Sequence, residues 1–124
     1  MDDLLDYLQS NDCYDEYELE QILDTKIIIT KDHIENIDLL NYGADWDFDI
    51  INLFKKYGYN FTNDDYILLV NENGYILDDI PDDKKTNEIC KNAVKQSGHA
   101  LEYVPEDKKQ IKYVKWQFNK MDLH

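Results

Sequence analysis

Carboxylates are the most numerous groups in this sequence that could do chemistry. The run Asp45-Trp-Asp47-Phe-Asp49 places three of them at positions one, three and five of a calcium loop of the helix–loop–helix type. Such a loop also needs a glycine at position six and a closing glutamate at position twelve. This chain has Ile50 and Lys56 there. We therefore interpret the run as an acidic helix start and predict no metal site.

Histidine and serine are too scattered to indicate a catalytic site. His33, His99 and His124 lack the spacing of a zinc-binding helix. His33 is predicted to be solvated in a first helical turn. His99 takes the place of Tyr75 in the repeat described below, which predicts a partly buried structural position. The serines lie outside nucleophile motifs, and no glycine-rich phosphate loop is present.

The two cysteines are predicted to be free thiols and not to form a disulfide. Cys13 and Cys90 are far apart and form no CxxC pair, so neither a disulfide framework nor a thiolate zinc site is expected. Cys13 has acidic neighbours, which disfavour a thiolate, and Cys90 is predicted to lie in the core. No signal sequence or membrane-spanning run is recognised, so we expect a cytoplasmic, reducing location. No cofactor and no enzymatic activity are predicted.

The charge of the chain is strongly negative. There are 27 acidic residues and 13 basic ones, the net charge is −14, and every basic residue is lysine. The segment 1–24 alone contains nine acids and no lysine. This composition argues against direct binding to nucleic acid or anionic lipid, since both need cationic groups. It favours a partner protein with a basic surface.

The second half of the chain contains one sequence pattern twice. The segments 70–85 and 94–109 share V-x-x-x-G-x-x-L-[DE]-x-[IV]-P-[DE]-D-K-K, and the two align from end to end with no gap. A constant period of this kind, between about 20 and 50 residues, is typical of stacked structural repeats, which mostly act by presenting a surface.

This repeated region resembles a known short repeat. The segment 93–106, Ala-Val-Lys-Gln-Ser-Gly-His-Ala-Leu-Glu-Tyr-Val-Pro-Glu, is similar to a tandem α-helical repeat of uncharacterised function found in giant viruses and some bacteria. The resemblance extends over residues 70–120 and implies a helical array with no known activity. Residues 37–45 also resemble the second helix and cap of an ankyrin unit, without its T-P-L-H signature.

Local signals predict helices throughout. Thr30, Thr62 and Thr86 precede acidic first turns and are predicted N-caps. The four glycines, at positions 43, 58, 74 and 98, are predicted to end helices in the left-handed conformation. Ile27-Ile28-Ile29 has strand propensity but no second strand to pair with, so we predict a buried connector.

The predicted fold is therefore all-α, with irregular stacked helical hairpins or a solenoid-like repeat array. We expect one domain over residues 1–124, with divergent helices in 1–69 and two repeats plus a truncated third in 70–124. In the repeat, 86–97 should form a helix, 99–104 a short turn that points Leu101 and Val104 inward, and 106–120 the first half of a third copy.

If helices stack, the acidic turns between them line up on one edge. The pairs on that edge are Asp64-Asp65, Asp78-Asp79 and Asp82-Asp83. The predicted partner-binding residues are these six together with Asp45, Trp46 and Asp47. A stripe of carboxylates can imitate a phosphate backbone. The alternative is that these acids cap helices and stay solvated, partly neutralised by Lys84 and Lys85.

Two functions compete at this point. The first is an inhibitor that occupies the basic groove of a nucleic-acid enzyme, for example a viral or phage inhibitor of a host defence nuclease. The second is a scaffold or adaptor that offers aromatic anchors to a partner. Those anchors would be Trp46, Tyr57, Tyr59, Tyr103 and Trp116.

Overall fold

A computed structural model of the chain describes residues 2–11, 13–39, 42 and 48–108. The regular elements among these residues are α-helices and 3₁₀-helices, with no strand, so the predicted all-α class is confirmed. The chain divides into two compact units, Met1–Phe61 and Thr62–His124. The single domain over residues 1–124 stays a prediction, and the first repeat helix begins at residue 63, ahead of the repeat boundary that we placed at residue 70. None of the described helices is long and apolar enough to cross a membrane.

The described part of the first unit contains four α-helices. These are α1 (Asp3–Ser10), α2 (Glu16–Leu23), α3 (Lys31–Glu35) and α4 (Ile50–Lys56). Three of them begin at an aspartate whose carboxylate accepts a first-turn backbone N–H: Asp2 before α1, Asp15 before α2 and Asp49 before α4. Each cap satisfies a donor that the helix itself leaves without a partner. At Asp49 this agrees with the predicted helix start.

The core of the first unit is built from the apolar faces of these helices. Helix α1 buries Leu4 and Leu8 and packs against α2 and α3. Tyr14 is also buried, and its hydroxyl donates to Leu8 O at 2.8 Å and accepts from Asp38 N at 2.7 Å. One side chain thus satisfies two backbone groups at the edge of this core.

His33 is buried rather than solvated, so that expectation was wrong. Its side chain is 1% exposed, and its Nδ1 accepts the Thr30 backbone N–H at 2.8 Å. The other ring nitrogen, Nε2, therefore carries hydrogen and donates to Asp2 Oδ2 at 2.7 Å. The Leu5 N–H bond at the same carboxylate lowers the pKa of Asp2. A single histidine thus caps α3 and ties it to the start of α1.

Two other segments of this unit differ from their predictions. Ile29 is buried, but Ile28 is 80% exposed, so the triple isoleucine is only partly the buried connector we expected. Helix α3 ends at Glu35, and residues 37–39 are not helical, which leaves the ankyrin-like helix without support there. The rest of that stretch, except Tyr42, lies outside the described residues.

The second unit repeats one arrangement of elements. Its described part contains α5 (Asn63–Glu72), the 3₁₀-helices η1 (Gly74–Asp79) and η2 (Asp82–Lys84), α6 (Asn87–Gln96), and the 3₁₀-helices η3 (Gly98–Tyr103) and η4 (Glu106–Lys108). Every element of the second set begins and ends at the repeat positions where its counterpart in the first set does. We call residues 62–85 the first copy and residues 86–108 the second copy.

Equivalent side chains cap helices and fill the core in the same way in the two copies. Thr62 and Thr86 are the N-caps of α5 and α6, as predicted, and each hydroxyl accepts a first-turn N–H. Leu101 and Val104 point inward from η3, also as predicted. Helix α5 packs against α6, and η1 packs against η3. The third copy, expected from residue 106 onward, lies outside the described residues beyond η4, so a longer stacked array stays a prediction.

The glycines end helices in two different ways. Gly58 follows α4 with φ +98°, the left-handed cap that we predicted. Gly74 and Gly98 do not have positive φ; each follows its helix by one residue and opens a 3₁₀-helix. Gly74 is required for space, because a Cβ there would lie 2.5 Å from the backbone oxygen of Ala93. Gly43 lies outside the described residues.

Side-chain hydrogen bonds join the two copies at several points. The Gln96 side chain accepts from Gly74 N at 2.5 Å and donates to Glu72 O at 3.3 Å. Thr86 donates from Oγ1 to Asn63 Oδ1 at 3.1 Å. Each bond connects a residue of one copy to a residue of the other, so the two copies form one unit held by polar as well as apolar contacts.

Candidate functional site

Four positions of the repeat carry an acid in both copies. One pair, Asp64 and Glu88, lies in the first turns of α5 and α6, and the other three lie in the 3₁₀-helical turns: Asp78 and Glu102, Asp82 and Glu106, and Asp83 and Asp107. All six side chains of the turns are exposed. The same chemistry at the same place in successive copies gives the surface of the second unit a regular acidic pattern. We call these six residues the acidic turns.

The local fold explains why these acids face water. In η1 the apolar positions Ile76, Leu77 and Ile80 are buried, and their counterparts in η3 are buried as well. Asp78 and Glu102 lie next to these buried positions in sequence and are left on the outside. The other four acids open η2 and η4 directly after a proline, where a helix start favours negative charge.

Lysines offset this charge only in part. Lys85 Nζ pairs with Asp82 Oδ1 at 2.9 Å, and Lys108 Nζ lies 3.7 Å from Asp107 Oδ2. Lys85 is itself buried, at 6% exposed, and its Nζ also donates to Tyr103 O at 2.7 Å. It therefore acts mainly as a link from the first copy to the second, which its sequence position next to exposed Lys84 did not indicate.

The two acids that begin α5 have different environments. Asp64 is exposed in the first turn. Asp65 is 0% exposed, and its carboxylate accepts the Thr62 backbone N–H at 3.0 Å, completing a capping box. Asp65 therefore cannot belong to the surface stripe in which we placed it. Its role is to start the helix.

Asp79 is a carboxylate that the fold does not satisfy. It is half-buried, and its Oδ2 is buried without a hydrogen-bond partner. Burial raises the pKa of Asp79 to about 6. The equivalent residue of the second copy is Tyr103, so an acid here is not demanded by the repeat. A desolvated carboxylate outside the structural pattern is a recognised mark of a functional position.

We expect Asp79→Asn to stabilise the protein at neutral pH. Because the pKa of Asp79 is higher in the folded than in the unfolded state, protonation favours folding, and stability is lost as pH rises from about 4 through 6. With its partial exposure to water, we expect a gain of about 1 kcal/mol at pH 7.5 and none at pH 3.5. Urea unfolding at both pH values measures this.

The neighbouring substitution Asp78→Asn is the matched control, because it removes the same charge from an exposed position. It should change stability little at either pH. Equal stabilisation by both variants would show that general charge repulsion, and not the burial of Asp79, is the cause.

Aromatic rings lie beside the acidic turns. Tyr75 and His99, at equivalent positions of the two copies, have ring planes within 10° of parallel and centroids 6.4 Å apart. Tyr103 meets Tyr75 edge-on at 6.5 Å. His99 is exposed, not partly buried as predicted, and Tyr75 is 39% exposed. We call these three residues the ring patch.

Residues 65–107 match the model of a domain of unknown function (DUF4116). The matched range runs from the first turn of α5 to η4, so it spans most of both copies and leaves the first unit outside. It covers less than half of the chain. No curated protein matches the chain, and no solved structure does.

Other reactive groups do not converge in the described part of the chain. Burial raises the pKa of the Cys90 thiol to about 11, which keeps it protonated and unreactive in the core, where we predicted it. Within residues 2–108 as described, no group of three metal-binding side chains is found. An open cleft of about 250 Å³ in the first unit is lined by Glu16, Glu20 and Lys56 among others, and the lining includes no Ser, Thr, Cys or His.

Several predicted site residues lie outside the described residues: Asp45, Trp46, Asp47 and Trp116. Of the remaining predicted acids, Asp64, Asp78, Asp82 and Asp83 are exposed, Asp79 is half-buried and Asp65 is buried. The ring patch was not predicted as a unit. The signal in the sequence was the equivalence of Tyr75 and His99 in the repeat, which predicted a structural position.

Proposed function

We propose that this chain is a non-enzymatic binding module whose second unit presents the acidic turns to a basic surface of a partner protein. The observation that carries the proposal is that three acidic positions recur in the 3₁₀-helical turns of the repeat and that all six side chains are exposed. A fold needs exposed polar groups at its turns, but it does not need the same charge at each of them.

The overall charge supports the same partner class. With a net charge of −14 and no arginine, the chain repels nucleic acid and attracts cationic proteins over distances longer than a contact. Such attraction raises association rates and favours correct orientation more than it raises affinity alone.

A basic protein surface most often exists to hold nucleic acid. Carboxylates at regular spacing offer such a surface a substitute for phosphates. We therefore propose inhibition by occupancy, with the partner a nucleic-acid-binding protein such as a host defence nuclease. Inhibition by occupancy predicts that nucleic acid and this chain compete for one surface of the partner.

The alternative is a scaffold that binds through exposed aromatic side chains, and one observation favours it: the ring patch. Two other predicted anchors are less suited to binding. Tyr57 donates to Asp24 Oδ1 at 2.6 Å, a bond that raises the pKa of Tyr57 to about 12, and Tyr59 packs edge-on against Phe61 at 4.9 Å. These contacts occupy both rings within the first unit.

To test the acidic surface, we would neutralise four of the acidic turns at once. The changes are Asp78→Asn, Asp83→Asn, Glu102→Gln and Glu106→Gln, which leave the Lys85–Asp82 pair intact. The tagged chain is immobilised, a lysate of the native host is applied, and bound proteins are eluted with salt or with duplex DNA. For a captured partner, we expect Kd at low salt to rise at least about tenfold in the variant, with the difference shrinking at higher salt.

A second variant controls for the loss of four charges as such. It carries Asp3→Asn, Asp6→Asn, Glu16→Gln and Glu35→Gln, all exposed positions of the first unit. This control should retain the same partners and elute them near the wild-type salt concentration. Equal weakening by the two variants, or capture that duplex DNA does not displace, would contradict inhibition by the acidic turns.

A further inference from the structure

The ring patch has negative charge at its border. Burial, followed by the charge of Glu102 and a hydrogen bond to its carboxylate, raises the pKa of Tyr103, and the charge of Asp78 adds to this effect. The Glu102 carboxylate therefore lies beside the Tyr103 hydroxyl, and Asp78 follows Tyr75 by three positions in η1. Asp78 belongs to the first copy and Glu102 to the second, so each copy contributes a ring and an acid to one small area.

Lys85 contacts this area, but its Nζ is engaged with the Tyr103 backbone oxygen and Asp82, and the residue is buried. The rings of Tyr75 and His99 and the carboxylates of Asp78 and Glu102 are exposed to solvent. Negative ring faces beside carboxylates attract a cation that also has an apolar, flat surface.

We propose that the ring patch receives an arginine side chain of the partner protein. In this arrangement the guanidinium lies against the faces of Tyr75 and His99, and its N–H groups point toward Asp78 and Glu102. The inference rests on the proposed function in one respect, that the partner surface is basic. It specifies which cationic side chain of the partner is bound and that the ring patch binds it.

Arginine fits this area better than lysine for two reasons. Its guanidinium is planar and weakly hydrated, so it stacks on the parallel rings at little cost in lost solvation. It also carries several N–H donors in one plane, which lets one group contact both carboxylates. Lysine would supply the same charge as a compact, strongly hydrated ammonium, and would gain less from the rings.

The test uses three synthetic peptides in an otherwise neutral Gly/Ser/Asn background. Each has one central residue, arginine, lysine or citrulline, and each is titrated into the full chain while the ring signals of tyrosine and histidine are followed by NMR. We expect saturable shifts at Tyr75, His99 and Tyr103 with the arginine peptide. The lysine peptide should bind about two- to fivefold more weakly, and the uncharged citrulline peptide should cause no saturable shift.

Two substitutions locate the effect. Tyr75→Ala removes an exposed ring and should weaken arginine-peptide binding about threefold or more, whereas Tyr75→Phe keeps the ring and should retain most of it. Tyr17→Ala is the matched control, because Tyr17 is 71% exposed in the first unit and should have no effect. Circular dichroism confirms that each variant is folded.

The outcomes separate this inference from the proposed function. Equal shifts with arginine and lysine that Tyr75→Ala leaves unchanged would overturn the ring patch as an arginine site, while the salt-dependent capture by the acidic turns could still hold. Conversely, a variant with only Asp83→Asn and Glu106→Gln leaves both carboxylates of the ring patch in place. Unweakened capture by this variant, together with arginine-specific binding at the ring patch, would keep this inference and reject the acidic turns outside the patch as the binding surface.

Discussion

Replacing Gly74 with alanine is expected to destabilise the second unit by about 3 kcal/mol. A Cβ at this position would lie 2.5 Å from Ala93 O, too close for any real contact. That oxygen also accepts the Ser97 N–H at 2.9 Å, so it is fixed by the end of α6 and cannot move away cheaply. Urea unfolding of wild type and variant measures the loss.

Gly58→Ala separates lack of space from backbone strain. At Gly58 the strain comes from φ +98°, and a Cβ would meet no atom within 4 Å. The expected cost is therefore only about 1 kcal/mol. A Gly58→Ala loss equal to or larger than that of Gly74→Ala would contradict the close approach of α6 to η1.

Lys85→Ala is expected to cost about 2 kcal/mol, the second largest effect. The substitution removes the buried side-chain stem and leaves Tyr103 O without the donor that lies 2.7 Å away. Since Asp82 is 81% exposed, water can replace its lost ion pair, and that part of the cost is small. The measurement is again the free energy of unfolding in urea.

Two variants distinguish the contributions. Lys85→Met keeps most of the stem and should recover about half of the loss. Lys84→Ala removes the same charge from the exposed neighbour and should stay within about 0.5 kcal/mol of wild type. If Lys84→Ala were as destabilising as Lys85→Ala, the cause would be the net negative charge of the chain and not the link between the copies.

The repeated part of the fold could be predicted because each copy leaves the same local signals. Thr62 and Thr86 cap their helices through contacts within one turn, and the period of the sequence repeat appears again in the bounds of every described element of the two copies. Interactions between residues so close in the chain can be predicted from the sequence. The all-α class follows from them.

What the sequence did not reveal depends on contacts between distant residues. His33 looked solvated, but its partner Asp2 lies 31 positions away. Gly74 looked like an ordinary helix cap, but the atom that forbids a Cβ belongs to the next copy. The burial of Asp65 could have been suspected, because an acid three residues after a threonine N-cap is a capping-box signal.

The candidate site also contains acids whose exposure could be predicted from the sequence and one, Asp79, whose partial burial could not. The exposure of Asp78, Asp82 and Asp83 agrees with the prediction that acids in the turns between helices face outward. The partly buried state of Asp79 does not follow from the sequence, because its neighbours in the chain are an exposed acid and a core isoleucine. The packing of η1 against α5, α6 and η3, which are distant in sequence from Asp79 or follow it, decides how far water reaches that carboxylate.

The contacts of the Gln96 side chain limit which insertions and deletions the repeat region can accept. Its amide contacts the N–H of Gly74 and the carbonyl of Glu72, so it recognises the helix end of the preceding copy by backbone groups that any sequence there would offer. Gene duplication in whole multiples of the period keeps this fit intact, provided that the added copy keeps glycine at the position of Gly74. An insertion of any other length would move the acceptor away from its donor, so selection should tolerate gains and losses of complete copies and reject partial ones.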